Sequence, residues 1–376
     1  MMRPSPPAVD QNPPRSERGG LLLYSLAEFR EIILECLDLV GGRSVVEIGG
    51  EDGTFTAELL SWAAARDGRV SCIDPTPSTG LVELVEASDV GELHRCTSLE
   101  ALPAMPPSDV YLVDGDHNYF TLLHELEAIE AISGPAFPLV FIHDVGWPSG
   151  RRDMYYSPET LPAEAVHPYD YGRGAVIGSS DLVETGFRGE GEFAWAEAEG
   201  GPANGVLTAV EQFLADRPQL KLQVVPCVFG LGVVYPSDAP WADAVGALVR
   251  TYEEIPLLER LEQNRLDLYL HVLALQHAQF EQGLHVRDVE VENRGLWARV
   301  HELEAEMAGL SQRSQQLAAE VATTVAARSF TIAELLSRLH TRGSDKPGIS
   351  AARMRSLAEP LLPGAPPDSS TASPTP

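Results

Sequence analysis

The sequence predicts an α/β fold: a doubly wound, mostly parallel sheet closed by a β-hairpin, followed by a long helical coiled coil. Three observations predict it. Between residues 21 and 237, short and continuously apolar runs alternate with segments of helical periodicity, the pattern of a parallel sheet covered on both faces. The last two apolar runs, in LQVVPCVFGLGVVYP, read as strands joined by a tight FGLG turn, which only antiparallel neighbours can use. From Leu258 a heptad pattern then runs without a register break to Thr324.

Taken in order, LAEFREIILECLDLV is a helix, with Phe29, Ile32, Ile33, Leu37 and Val40 at helical spacing. SVVEIG is a strand ending in a turn, and TFTAELLSWAAA is the helix after it. RVSCID (strand), LVELVEA (helix), ELHRCTS (strand), DVYLVDGD (strand), LLHELEAIEAI (helix) and PLVFIHD (strand) continue the alternation. Residues 146–205 are rich in Gly, Pro, Tyr and Trp and are too long for an ordinary connection, so a lid or a disordered loop is expected there. NGVLTAVEQFLADRP is a helix stopped by Pro218, ahead of the hairpin. Residues 238–257 read as a linker. In the coiled coil, 258–327, six of the ten a positions and eight of the ten d positions from Leu258 to Thr324 are apolar, and Asn293 at an a position would set the register. Residues 328–359 read as a basic amphipathic segment with Ile332, Leu335, Leu336 and Leu339 on one stripe. Such a segment can lie on an anionic membrane surface, but an oligomer cap is preferred. Residues 1–20 and 360–376 are proline-rich and expected to be a disordered leader and tail.

Composition excludes several classes. Lys and Arg number 27 against 55 Asp and Glu, a net charge of −28, so the bulk surface would repel a nucleic-acid backbone. Cys36, Cys72, Cys96 and Cys227 are scattered, without a zinc spacing or a disulfide framework. No secretory h-region and no membrane-length apolar run is present. A cytoplasmic address is the expectation.

Four groups of residues carry chemistry. Glu47-x-Gly49-x-x-x-Gly53 ends a strand in a carboxylate and turns on glycines into a helix, and glycine there lets backbone approach a ligand. The GxGxxG dinucleotide fingerprint is absent. Asp74 ends the second strand, where a carboxylate can accept both ribose hydroxyl protons. Asp114-Gly115-Asp116-His117 ends the strand DVYLV, and His143-Asp144 ends LVFI, at the sheet edge where ligands of open α/β sheets bind. Arg151-Arg152, Tyr155-Tyr156 and Tyr169-Asp170-Tyr171 in the long loop are attractive as an acceptor lid, without any one of them being singled out.

The EIGxxxGxxT and DGDHxY strings over residues 21–237 resemble class I S-adenosylmethionine-dependent methyltransferases, in particular the macrocin O-methyltransferase and cephalosporin-hydroxylase-type subfamily. That resemblance implies a Rossmann-like fold and S-adenosylmethionine as cofactor. Glu47 would then lie at the amino end of the methionine moiety, with Gly49 and Gly53 admitting the cofactor. Asp74 would bind ribose and Ser98, ending the third strand, adenine; Asp114 would also line the cofactor site. It implies methyl transfer to a hydroxyl of a sugar or glycosylated metabolite. By analogy with the metal-dependent members, Asp114, His143 and Asp144 are candidate ligands for Mg²⁺ or Mn²⁺. Equally, His143 and Asp144 can be a metal-free pair that orients the acceptor. His117 falls where the catechol-type enzymes carry a lysine base, and histidine suits a general base at neutral pH; His143 and Asp144 complete the candidate catalytic set. Expected partners are a small-molecule or carbohydrate acceptor and further copies of the chain, held by the coiled coil. The competing reading is a non-catalytic nucleoside-binding scaffold of a glycan or metabolite assembly system, oligomerised by that coiled coil.

Overall fold

The computed structural model describes residues 22–342. The predicted leader and tail, and the basic segment beyond residue 342, lie outside the described residues. Helix α1 (Arg30–Val40) precedes β1 (Ser44–Ile48), α2 (Thr54–Ala64), β2 (Arg69–Ile73), α3 (Thr79–Glu86) and β3 (Gly91–His94). A short α4 (Ser98–Ala101), β4 (Val110–Val113), α5 (Tyr119–Ser133) and β5 (Leu139–His143) follow. Next come β6 (Met154–Tyr155), β7 (Tyr169–Asp170), β8 (Ala194–Ala196), α6 (Val206–Leu214), β9 (Leu220–Val225) and β10 (Leu231–Pro236). Helices α7 (Ala242–Glu253) and α8 (Pro256–Arg342) complete the described chain.

The main sheet has seven strands in the order β3-β2-β1-β4-β5-β10-β9. All neighbours from β3 to β5 are parallel, whereas β10 runs antiparallel to both β5 and β9. The expected hairpin is therefore present. Its turn is the PCVFG segment, residues 226–230, rather than FGLG, because Leu231 and Gly232 already pair with His143 and Ile142. Alternation within each strand divides the core between two faces. Val45, Val70, Val110, Leu112 and Phe141 pack with α1, α2 and α7 on one side, while Val46, Ile48, Tyr111, Val113 and Ile142 pack with α5 and α6 on the other.

Register brings the chemical residues to one edge. Ile48 pairs with Ile73 and with Val113, and Val113 pairs with Ile142. Glu47-Gly49, Asp74, Asp114 and His143-Asp144 thus end four neighbouring strands at the same level, three of them β1, β4 and β5 side by side.

Three expectations need correction. Strand β3 ends at His94, so Thr97 and Ser98 do not finish it: Thr97 caps α4 in a capping box with Glu100 and Ser98 is the first residue of that helix. Residues 238–257 are not a plain linker, since α7 lies within them and buries Val245 and Val249 in the core. The apolar residues of that segment sit at helical spacing and have a face to cover. The segment 146–205 is not structureless either. It folds as a three-stranded sheet, β6-β8-β7, over a small core of Met154, Ala175, Leu182, Phe193 and Trp195.

The chain divides into two compact units, residues 1–284 and 285–376, with α8 running across the division. Within the first unit α8 begins against the domain. Leu266 is buried with Leu22 and Phe229, and Tyr269 packs on the same cluster. In the second unit α8 is exposed along its whole described length to Leu339, including the heptad positions Leu296, Leu303 and Leu310 at 57%, 43% and 64% exposure. No helix among the described residues is long and apolar enough to cross a membrane.

Candidate active site

The β1–α2 turn is built around glycine. Gly49 has φ +85°, and a Cβ on it would lie 2.1 Å from the carbonyl oxygen of Asp114, so no other residue fits between the ends of β1 and β4. Glu47 is buried at the end of β1 and accepts a 2.6 Å hydrogen bond from Thr56 Oγ1 of α2. Burial pushes its carboxyl up to about 7, against the pull of the Thr56 and Cys72 donors. Asp74, also buried, accepts from the backbone N–H of Thr76 at 2.8 Å and of Glu51 at 3.3 Å, which ties the end of β2 to the β1–α2 turn. Gly53 is the left-handed cap residue of α2.

At the ends of β4 and β5, two aspartates and two histidines interlock. His143 Nδ1 lies 3.0 Å from Asp114 Oδ1 and 3.8 Å from Asp144 Oδ1. His117 Nδ1 is 3.1 Å from Asp144 Oδ2, and its Nε2 is 3.9 Å from Asp114 Oδ1. The predicted catalytic trio and the predicted metal trio therefore meet in one cluster. Asp144 holds a left-handed φ of +59°, a conformation that costs a non-glycine residue energy and that tends to mark functional positions.

Electrostatics follow from the packing. Burial opposes charge on His143, but Asp114 and Asp144 override it and lift the imidazole to about 9. Burial would likewise raise Asp114, yet the adjacent His143 holds it below the usual carboxylate range. Asp144 goes the other way: burial outweighs His117 and His143 and raises it.

The second His143 nitrogen, Nε2, donates to the carbonyl of Val228 at 2.9 Å. That carbonyl lies in the β9–β10 turn, where Val228 and Phe229 both have positive φ, +48° and +64°. Helix α8 clamps the turn: Phe229 N–H donates to Glu262 Oε1 at 3.0 Å, and the Arg265 guanidinium, paired with Glu262, lies 4.7 Å above the Phe229 ring. Sequence reasoning missed this arrangement, because neither the turn nor the helix carries a recognisable motif.

Metal-binding chemistry fits the residues present. Asp114, His143 and Asp144 each offer one ligand atom, and these atoms lie within 4.8 Å of one another. A metal-ligating histidine usually donates its far N–H to a backbone carbonyl or a carboxylate, as His143 Nε2 does to Val228. One nitrogen among the oxygens suits Mn²⁺ better than Mg²⁺.

The inserted sheet is anchored to this cluster. Met154 N–H donates to the His117 carbonyl at 3.0 Å. The fully buried Asp153 accepts from the N–H groups of Tyr119 (2.8 Å) and Gly205 (2.6 Å) and from the Tyr155 hydroxyl (2.8 Å), so one carboxylate ties the start of α5 to both ends of the insertion. Arg152, buried beside it, donates to the carbonyls of Ala196 and Ser180. Tyr156, 42% exposed, sits with its ring 6.2 Å from that of His117. Of the loop residues noted in the sequence, Arg152 and Tyr155 are structural, whereas Tyr156 borders the site.

Comparison with known proteins bears on this edge. Residues 46–145, from β1 to just past β5, match the family Methyltransf_24, described as a methyltransferase domain, so the segment that holds the cluster is a methyltransferase domain. Among solved structures, the O-methyltransferase TomG from Streptomyces achromogenes, involved in tomaymycin synthesis and in complex with SAM, is 17% identical. The match covers 57% of this chain and 82% of that one, with a TM-score of 0.35. The O-methyltransferase from Bacillus cereus in complex with SAH is 14% identical over 58% of this chain and 86% of that one, TM-score 0.35. The SAH-bound Podospora anserina methyltransferase PaMTH1 is 12% identical over 57% and 80%, TM-score 0.37. Likeness at these scores adds nothing to the matched segment. No curated protein matches the chain.

Proposed function

We propose that this protein transfers a methyl group from S-adenosylmethionine to a hydroxyl of a sugar or glycosylated metabolite. The observation that carries the reading is the convergence of Glu47, Gly49, Asp74 and Asp114 on the same sheet edge as the His117–Asp144 pair. The sugar class rests on the DGDHxY resemblance.

Each side chain then has a task. Asp74 accepts the ribose hydroxyl protons, Glu47 faces the methionine ammonium, and Ser98 stands at the adenine side. Asp144 accepts from His117 Nδ1–H and so fixes the tautomer, leaving Nε2 as the base, the division of labour seen in histidine–carboxylate pairs generally. The acceptor oxygen attacks the methyl carbon as the carbon–sulfur bond breaks, S-adenosylhomocysteine departs, and the hydroxyl proton passes to His117 Nε2. Asp114, His143 and Asp144 would hold a divalent cation, which when bound lowers the pKa of a coordinated hydroxyl. Without it, Asp114 and Asp144 anchor the acceptor hydroxyl. A cytosolic protein, at least dimeric through a parallel coiled coil of α8, completes the reading; four free cysteines and the exposed heptad positions support it.

Titration calorimetry with S-adenosylhomocysteine tests the cofactor assignment. Wild type should bind and Asp74→Ala should bind at least about tenfold more weakly, the size of one or two lost hydrogen bonds to a charged group. Binding of NADH with no heat from S-adenosylhomocysteine would end the assignment.

A further inference from the structure

Among the described residues, two aromatic rings meet the histidines of the cluster, and they differ in exposure. Phe29 stands edge-on to His143 with ring centroids 5.8 Å apart and is 3% exposed. On that flank the chain closes the site, because the backbone N–H of the buried Leu26 donates to Asp114. Tyr156 lies 6.2 Å from His117 with the two ring planes 55° apart, and it keeps 42% exposure. Of the two rings, Tyr156 is the one a ligand can reach.

Packing fixes this ring relative to the base. It meets Phe193 edge to face, 6.2 Å between centroids and 80° between planes, and Phe193 belongs to the core of the inserted sheet. The Tyr156 backbone N–H donates to Asp116, the neighbour of His117. Two residues earlier, Met154 N–H donates to the His117 carbonyl. A flat surface already held in place loses little freedom when a ligand covers it. Tyr156 also follows residue 145, beyond the segment matched to the methyltransferase domain, so it belongs to the insertion rather than to the shared part of the fold.

Resting on the reading of methyl transfer to a sugar hydroxyl, we propose that Tyr156 is the platform on which the sugar ring of the acceptor stacks beside His117. A pyranose presents C–H bonds on its face and hydroxyls at its rim. The face of an aromatic ring is negative and attracts those weakly positive hydrogens, and contact between the two faces removes apolar surface from water. The tilt completes the arrangement. A sugar laid parallel to Tyr156 is tilted by the same angle from the imidazole, so it meets His117 through its rim of hydroxyls. The inserted sheet thereby selects the acceptor by shape, while the cluster at the ends of β4 and β5 acts on the hydroxyl.

The test is methyl transfer by the full chain to two acceptors, a methyl pyranoside and the acyclic alditol with the same hydroxyl pattern, which lacks a rigid face. Wild type should favour the pyranoside in kcat/KM by about five- to tenfold, the size of one stacked contact. Tyr156→Phe and Tyr156→Trp keep a face and should retain the preference. Tyr156→Ala and Tyr156→Leu should lose it, through a higher KM for the pyranoside with kcat little changed, because stacking is made in the ground and transition states alike. The leucine variant keeps an apolar contact with Phe193, and the ratio between acceptors is insensitive to a general loss of activity. A wild type without the preference, a leucine variant that keeps it, or a loss that falls on kcat for both acceptors alike overturns the platform. No transfer by wild type to these or any other alcohol rejects the methyl-transfer reading itself, and the platform falls with it.

Discussion

Glu47 shows how far a single residue was legible. Its place at the end of an apolar run before glycines marked it as a cofactor contact, but its burial and its Thr56 and Cys72 neighbours come from α2 and β2 and leave no trace in the string EIGGEDG. Those neighbours have a consequence for pH. The carboxyl is raised to about 7, and an ammonium group binds the ionised form, so cofactor affinity should rise as pH increases through 7. If only the carboxylate binds, affinity should increase about tenfold from pH 6 to pH 8, with a proton released on binding at the acid end. Glu47→Gln should bind weakly with a flat profile. Calorimetry in buffers of different ionisation enthalpy measures both effects; an unchanged wild-type affinity over that range would remove Glu47 from the ammonium site. Asp114, His143 and Asp144 were legible as a set for a simpler reason: parallel register aligns the ends of β4 and β5, so acids and histidines that finish those runs must be neighbours.

At the scale of elements, the strands and the helices between them follow from apolar periodicity, which is why nearly all were readable. The misses share one cause. Ser98, α7 and the β6–β8 sheet are set by what they pack on, and local pattern does not record that. The first turns of α8 are the sharpest case. Arg265 falls at a heptad a position, yet it is taken up by Glu262 and Phe229 of the domain rather than by a second helix. Helix α8 is thereby a support for the β9–β10 turn and, through the Val228 carbonyl, for His143. Glu262→Ala leaves the Phe229 N–H without its acceptor in a backbone conformation that valine and phenylalanine adopt at a cost. It should destabilise the domain by about 1–3 kcal/mol in denaturant unfolding and lower turnover as well. Glu262→Gln, which still accepts, should recover most of both. An alanine variant with unaltered stability and turnover would show that the clamp positions nothing.

The whole molecule combines a catalytic domain with a helix that, over the described residues of the second unit, buries no side chain of its own. Leu296, Val300, Leu303, Met307, Leu310, Leu317 and Val321 are all at least 40% exposed and all fall on a or d positions. Apolar surface in such a continuous row is unfavourable in water and is covered when two helices wind together. Light scattering on the full chain should report a dimer or larger. A monomer would mean that the stripe has another cover. The chain's net charge of −28 argues for a neutral or cationic acceptor, with anionic acceptors disfavoured.

The most direct measurement of the central claim is methyl transfer itself, with S-adenosylmethionine labelled in the methyl group and a panel of sugar and glycoside alcohols as acceptors. Wild type should place label on a hydroxyl oxygen, and His117→Ala should turn over about 10²–10⁴-fold more slowly with nearly unchanged cofactor affinity, the usual contribution of a positioned base. A cation held by Asp114, His143 and Asp144 adds one feature, activity abolished by chelator and restored by Mn²⁺ or Mg²⁺; transfer that ignores chelator would leave His143–Asp144 as an orienting pair. Tight binding of S-adenosylhomocysteine with no label transferred to any alcohol, or a His117→Ala variant as fast as wild type, would contradict the account, the first in favour of a nucleoside-binding scaffold and the second by taking the base away from His117.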